Sequence, residues 1–226
     1  MTTLFKLDTK KKIGVLFDNK SNTIKKFYLT PRNKDKELIN EFLGFQWYIK
    51  KLYKKKLIPN KIILKKKTNS LIFPVFKGTH FKFWDKHIHN TNLIESVIGH
   101  YKLLWPQKKI VPYHGDLTIE NIIFKKNNNV VFIDWENYRS KEEWGLDICY
   151  FLISLIVLPV LNLKRDILKK SELNLFKIYW KKTFKNKNYS YLKNPLNFLR
   201  KKCAKKNHFL FKISNKLETQ ILKSIL

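Results

Sequence analysis

Between His114 and Asp134 the chain reads HGDLTIENIIFKKNNNVVFID, and this stretch constrains the architecture more than any other. Residues 122–124 and 130–134 are short β-branched and aromatic runs, separated by Lys125-Lys126-Asn127-Asn128-Asn129, a cluster of turn formers. A tight hairpin returns the chain to the end from which it started. Asp134, at the end of the second strand, is therefore expected beside the loop that carries Asp116 and Asn121. Three polar side chains with metal-competent oxygens would converge on one edge of the hairpin.

Phosphoryl transfer asks little covalent chemistry of a protein. It needs the attacking hydroxyl oriented, the phosphates held and their charge neutralised. One base-like carboxylate and a separate metal-binding carboxylate meet that demand, and Asp116 and Asp134 are so disposed. The residues HGDLTIENIIF followed by VVFIDWENY resemble the core of the aminoglycoside phosphotransferase and choline kinase family, relatives of the protein kinases in fold. The resemblance implies an α+β, protein-kinase-like bilobal fold, with a small β-rich N-lobe holding one helix and a mainly helical C-lobe. It implies Asp116 as the catalytic base, Asn121 and Asp134 as ligands of the Mg2+ that bridges the phosphates of ATP, and His114 with Gly115 as shapers of the catalytic loop. It is specific over residues 111–151, loose over 10–80 and absent beyond about Leu163. A pseudokinase that binds nucleotide without turnover would keep the same pattern.

Two neighbouring acids have more than one reading. Asp147 matches a family position that braces the catalytic loop, and equally suits the mouth of an apolar helix as an N-cap. Glu136 matches a frequent family acid, and equally suits a solvated strand end.

Residues 12–17 (KIGVLF) and 23–29 (TIKKFYL) read as a hairpin around Asp18-Asn19-Lys20-Ser21-Asn22. Leu38, Phe42, Phe45, Ile49 and Leu52 then recur at helical spacing, a stripe expected to pack on that hairpin. Two further strands are expected at 61–64 and 70–76, with 65–69 as their turn. By family resemblance this lobe supplies a Lys for the α and β phosphates and a helix Glu that positions it. Lys26 is the candidate, since Lys25 points to the opposite face of the strand. A one-residue slip would exchange them. Glu41 borders the apolar stripe and is preferred to Glu37, although all of these could be ordinary surface charges. The turn lacks the Gly of a kinase phosphate loop, and Ser21 and Asn22 are candidates for facing the phosphates instead. The backbone near Phe76, before Gly78, is expected to contact the adenine. These readings divide the chain into an N-lobe at 1–76 and a C-lobe at 77–226, with a helix ending at Pro106 and helices starting near Leu146 and Ser171.

Hydrophobic residues make up 44% of the 226, enough for a packed core. The formal net charge is +30, yet only four of the 47 cations are Arg, the residue that specific base and phosphate readers favour. A weak electrostatic association with nucleic acid or an anionic membrane follows from charge alone. Cys149 and Cys203 lie far apart, and no apolar leader or bilayer-length run is present in the sequence, which fits a reducing, cytoplasmic compartment. The expected partners are a nucleoside triphosphate and a small hydroxyl acceptor. A chain so basic has few acids for the anionic pocket of a cationic acceptor, so a sugar, a glycan or lipid head-group precursor, or an already phosphorylated acceptor is somewhat favoured; an amino alcohol stays among the candidates, since Glu136, Glu142, Glu143 and Glu172 could gather locally.

Overall fold

The computed structural model describes residues 2–8, 13–28, 35–57, 65–67, 70–82, 87–203 and 208–225. The N-terminal part is an antiparallel sheet with one helix. Strands β1 (Thr2–Asp8), β2 (Ile13–Asp18) and β3 (Thr23–Tyr28) are followed by helix α1 (Asp35–Lys54) and strands β4 (Lys65–Lys67) and β5 (Ser70–Pro74). Their order across the sheet is β1-β2-β3-β5-β4. The expected strand at 61–64 lies outside the described residues. Residues 65–67, expected to be a turn, instead pair with β5, Lys65 opposite Ile72. A lysine run is tolerated there because β4 is an edge, where charges discourage further pairing.

The apolar stripe of α1 divides its contacts, which corrects the expectation that it packs on the hairpin alone. Leu38 and Phe42, on its first turns, join Ile13, Val15 and Leu71 beneath the sheet. Phe45, Tyr48, Ile49 and Leu52 belong to the large core of the C-terminal part. Helix α1 therefore ties the two parts together. At the end of β5 the chain crosses over, with Val75 N–H donating to Asn22 O at 3.0 Å and the Phe76 ring edge-on to Phe45 at 5.8 Å.

The C-terminal part runs β6 (Thr79–His80), α2 (Thr91–Leu104), β7 (Ile110–Tyr113), β8 (Ile122–Phe124), β9 (Val130–Phe132), β10 (Arg139–Glu143), α3 (Leu146–Asn162), α4 (Lys170–Phe184), α5 (Pro195–Lys202) and α6 (Asn215–Ile225). Helix α2 starts where Asn90 accepts from Leu93 N at 3.1 Å, and it stops before Pro106, which has no N–H to continue it. The expected hairpin is β8 with β9, to which β6 adds a third strand. The pairing of β7 with β10 was not foreseen. Helix α3 is apolar on every face and buried along most of its length, the pattern of a central core helix. Among the described residues no helix is long and apolar enough to cross a membrane.

Candidate active site

The loop after β7 is fixed by its own backbone. Gly115 has φ +88°, in the left-handed region, and a Cβ there would lie 2.4 Å from Asn137 O. Only glycine fits both conditions. The Asp147 carboxylate, on the first turn of α3, accepts from His114 N–H at 2.9 Å and from Gly115 N–H at 3.0 Å. It braces the loop, and the helix N-cap position belongs to Gly145. Burial pushes the Asp147 carboxyl up to about 7, against the pull of these two hydrogen bonds. His114 is fully buried, and burial lowers its imidazole to about 4, so the ring is neutral. Its Nε2 lies 2.9 Å from Ile133 O and its Nδ1 accepts from Asp116 N–H at 3.4 Å. Those partners select the tautomer with hydrogen on Nε2. His114 therefore positions Asp116 from behind the loop and links it to the segment before Asp134.

Asn121 closes the loop, its Nδ2 donating to Asp116 O at 2.7 Å. Its carbonyl oxygen is the atom with ligand chemistry to offer. Ile133 N–H donates to Asn121 O at 2.9 Å, so the end of β9 is fastened to the same loop. Asp134 follows with φ +63°, a conformation that Asp tolerates better than most residues and one that clusters at functional sites. Trp135, buried and stacked parallel to Trp105 with ring centroids 6.0 Å apart, anchors the far side of that bend.

From the other part of the molecule Lys26 reaches the same point. It is buried on the face of β3 toward α1, opposite Val15 and Leu71 in register, while Lys25 is exposed. Lys26 Nζ lies 2.9 Å from Glu41 Oε2, 3.1 Å from Asp134 Oδ1 and 2.5 Å from Glu136 Oε1. Burial opposes the ammonium charge, and the three carboxylates together hold its pKa well above the usual lysine value. Burial pushes Glu41 up to about 7, reinforced by Asp134 and Glu136 and opposed by Lys26. Oxygens of Glu41, Asp134 and Glu136 all lie within 4.8 Å of one another. Three carboxylates against one lysine leave excess negative charge in a half-buried cleft. Oxygen donors in excess of nearby cations suit a hard divalent ion.

The structure thus gathers Lys26, Glu41, His114, Asp116, Asn121 and Asp134. It does not bring Ser21 and Asn22 with them. With β1 in the sheet, the turn 19–22 joins the second and third strands at the crossover end, where Asn22 O holds Val75. Ser21 Oγ donates to Asp18 Oδ2 at 2.7 Å. The turn between the first and second strands, residues 9–12, lies outside the described residues. Phe76 sits at the crossover with Lys125 Nζ 5.3 Å from its ring centroid. Sequence reasoning undervalued Glu136 and missed Tyr150, whose hydroxyl donates to Asp116 Oδ1 at 3.0 Å. Its signal was helical spacing, since Tyr150 is three residues after Asp147 and shares its face of α3. A cavity of about 150 Å³ opens over Asp116, lined by Tyr113, Tyr150, Arg139, Lys202 and His208 among others.

A lysine on the third strand paired to a glutamate on helix α1, facing the loop of Asp116 and an aspartate after a hairpin, is the protein-kinase-like arrangement. Residues 79–188 match the ecdysteroid kinase-like family. That match covers nearly half the chain and includes the loop from His114 to Asn121, the β8–β9 hairpin and α3. The resemblance to protein-kinase-like phosphotransferases seen in the motif therefore holds. An ethanolamine kinase of Plasmodium vivax is similar over 100% of this chain and 82% of its own, at 13% identity and a TM-score of 0.48. The kinase WbdD, crystallised with a kinase inhibitor, is similar over 85% of this chain and 48% of its own, at 10% identity and a TM-score of 0.44. No curated protein matches the sequence.

Proposed function

We propose that this protein is a small-molecule kinase that moves the γ-phosphate of ATP, with Mg2+, to a hydroxyl of a small acceptor. The observation that carries this reading is the cross-linking of two half-sites. Asp116 opens into a cavity, and its loop is hydrogen-bonded to the segment whose Asp134 and Glu136 meet Lys26. Asp116 would orient the acceptor O–H and take its proton as the oxygen bonds to the γ-phosphorus and the bond to the ADP oxygen breaks. Lys26, held by Glu41, would grip the α and β phosphates. Asn121, Asp134 and Glu136 would hold Mg2+, which when bound neutralises charge on the phosphates.

The test is a phosphate-transfer screen with Mg-ATP over sugars, hydroxy acids, amino alcohols and nucleosides. A saturating ligand at about 100 times its Kd contributes about 2.7 kcal/mol, so Mg-ATP should raise Tm by about 5–10 °C. Asp116→Asn should keep that shift and lose about 10²–10⁴-fold in kcat, the usual worth of a general base. Wild-type protein showing neither a Mg-ATP shift nor transfer overturns the proposal. A shift without transfer to any acceptor identifies a nucleotide-binding protein without kinase activity.

A further inference from the structure

Resting on the phosphotransferase reading, we infer that the acceptor carries an anionic group, a phosphate monoester or carboxylate, which binds at the mouth of the cavity beside Arg139 and Lys202 while its hydroxyl meets Asp116. The cavity has two chemically distinct ends. Its inner end holds Asp116, with the Tyr150 hydroxyl donating to Oδ1 and lying 2.9 Å from His208 Nε2. Because the phenol gives its hydrogen to the carboxylate, the His208 Nε2–H donates to the phenol oxygen. At the outer end Arg139 Nη1 donates to Glu142 Oε1 at 3.0 Å, and Lys202 Nζ contacts both oxygens of Glu142 at 3.0 and 2.8 Å.

This geometry decides between acceptor charges. A cationic acceptor needs an aromatic face or a carboxylate at the mouth. The aromatic face is Tyr113, and the Arg139 guanidinium already lies over it at 5.9 Å. The carboxylate is Glu142, already shared by two cations. Among the described residues at the mouth, Tyr113 and Glu142 are thus engaged by the protein's own positive charges, whereas Tyr150 and Asp116 lie deeper, where the acceptor hydroxyl must reach. The two cations exceed the one carboxylate, and the Glu142 side chain is 10% exposed against 49% for Arg139 and 36% for Lys202. Donor capacity therefore faces solvent while the acid is covered. Arg carries five N–H groups in a fork that fits carboxylate and phosphate oxygens. A cavity of about 150 Å³ has room for a group of about benzene's size, so the part of the acceptor that enters is small.

The full-length chain is assayed with glycerol 3-phosphate, glycerate, glycerol and ethanolamine as acceptors, and separately titrated with glycerol 3-phosphate and inorganic phosphate by calorimetry. We expect the two anionic acceptors to be used in preference to glycerol and ethanolamine. In Lys202→Gln and Arg139→Gln, which keep a hydrogen-bonding side chain beside Glu142, KM for the anionic acceptors should rise about tenfold with kcat and the KM of ATP nearly unchanged. Phosphate affinity should fall in parallel. Transfer to ethanolamine or glycerol in preference to the anions overturns this inference and leaves the kinase reading standing. Phosphate binding that is equal in wild type and both variants also overturns it, as the non-specific attraction of a +30 chain. If neither these acceptors nor any in the wider screen is phosphorylated and Mg-ATP gives no shift in Tm, while phosphate binding still weakens in the variants, the kinase reading fails and the anion site stands.

Discussion

Glu136 in the cleft and His100 against the core show how much rests on single side chains. Glu136 is the acid nearest to Lys26, so Glu136→Gln should weaken Mg-ATP binding about tenfold, the loss expected of a charge-assisted contact, with little change in fold. Nucleotide titration in the presence and absence of Mg2+ checks this, and unchanged affinity would show that Glu136 serves only to seat the lysine. His100 bonds Tyr48 Oη through Nε2 at 2.7 Å, and burial lowers its imidazole to about 4. Its folded-state pKa lies below the unfolded value, so its contribution to stability is present above about pH 6.5 and is lost as pH falls through about 4. The stability difference between wild type and His100→Gln should therefore shrink on acidification across that window, by up to about 3 kcal/mol. Denaturant titrations at several pH values measure it.

At the level of elements, α1 governs whether the two half-sites meet. Gly44 lets it approach the C-terminal part closely, since a Cβ there would lie 2.8 Å from both Trp135 and Tyr138. Glu41 is three residues earlier on the same helix face. Gly44→Val should push α1 away from Trp135, cost about 1–3 kcal/mol by overpacking and weaken the Mg-ATP shift in Tm by displacing Glu41. A variant with lowered stability and an undiminished shift would separate helix packing from lysine positioning. The loop that carries Asp116 depends on backbone shape in the same way. Gly115→Ala meets both a left-handed φ and the Asn137 carbonyl, so it should abolish transfer and destabilise by at least about 1–2 kcal/mol.

The whole molecule carries its +30 charge with few acids to offset it, and the acids that are present are largely committed. Glu142 serves Arg139 and Lys202, Glu172 serves Arg165, and Glu218 serves Arg200. Self-repulsion of the remaining cations should destabilise the fold at low ionic strength, where screening extends about 30 Å at 0.01 M against about 8 Å at 0.15 M. Tm measured in buffers of rising NaCl should therefore increase, and a flat response would show that the lysines are spaced widely enough to be neutral in effect. Any affinity for nucleic acid or anionic vesicles should fall steeply over the same range and be the same in Asp116→Asn. Trp105, Trp135, Trp144 and Trp180 are buried in the core and so present no face to a nucleic-acid base.

What the sequence determined by itself is local. The motif from His114 to Asp134 contains its own folding instructions, because a hairpin of fixed register must return Asp134 to the loop of Asp116 and Asn121. The same holds for Lys26 against Lys25, decided by strand alternation, and for Glu41 against Glu37, decided by the helical stripe. Tertiary structure decided whatever required distant segments to meet. The first strand moved Ser21 and Asn22 to the crossover end of the sheet, a result of strand order that no local pattern encodes. The lysine run at 65–67 became an edge strand because β5 offered hydrogen bonds that propensity does not count. Glu136 became a partner of Lys26 only when α1 docked, and the cations at the cavity mouth came from β10 and α5, more than 50 residues apart. Chemistry carried on one hairpin is legible in a linear chain, whereas a pocket assembled from separate elements is fixed by their packing.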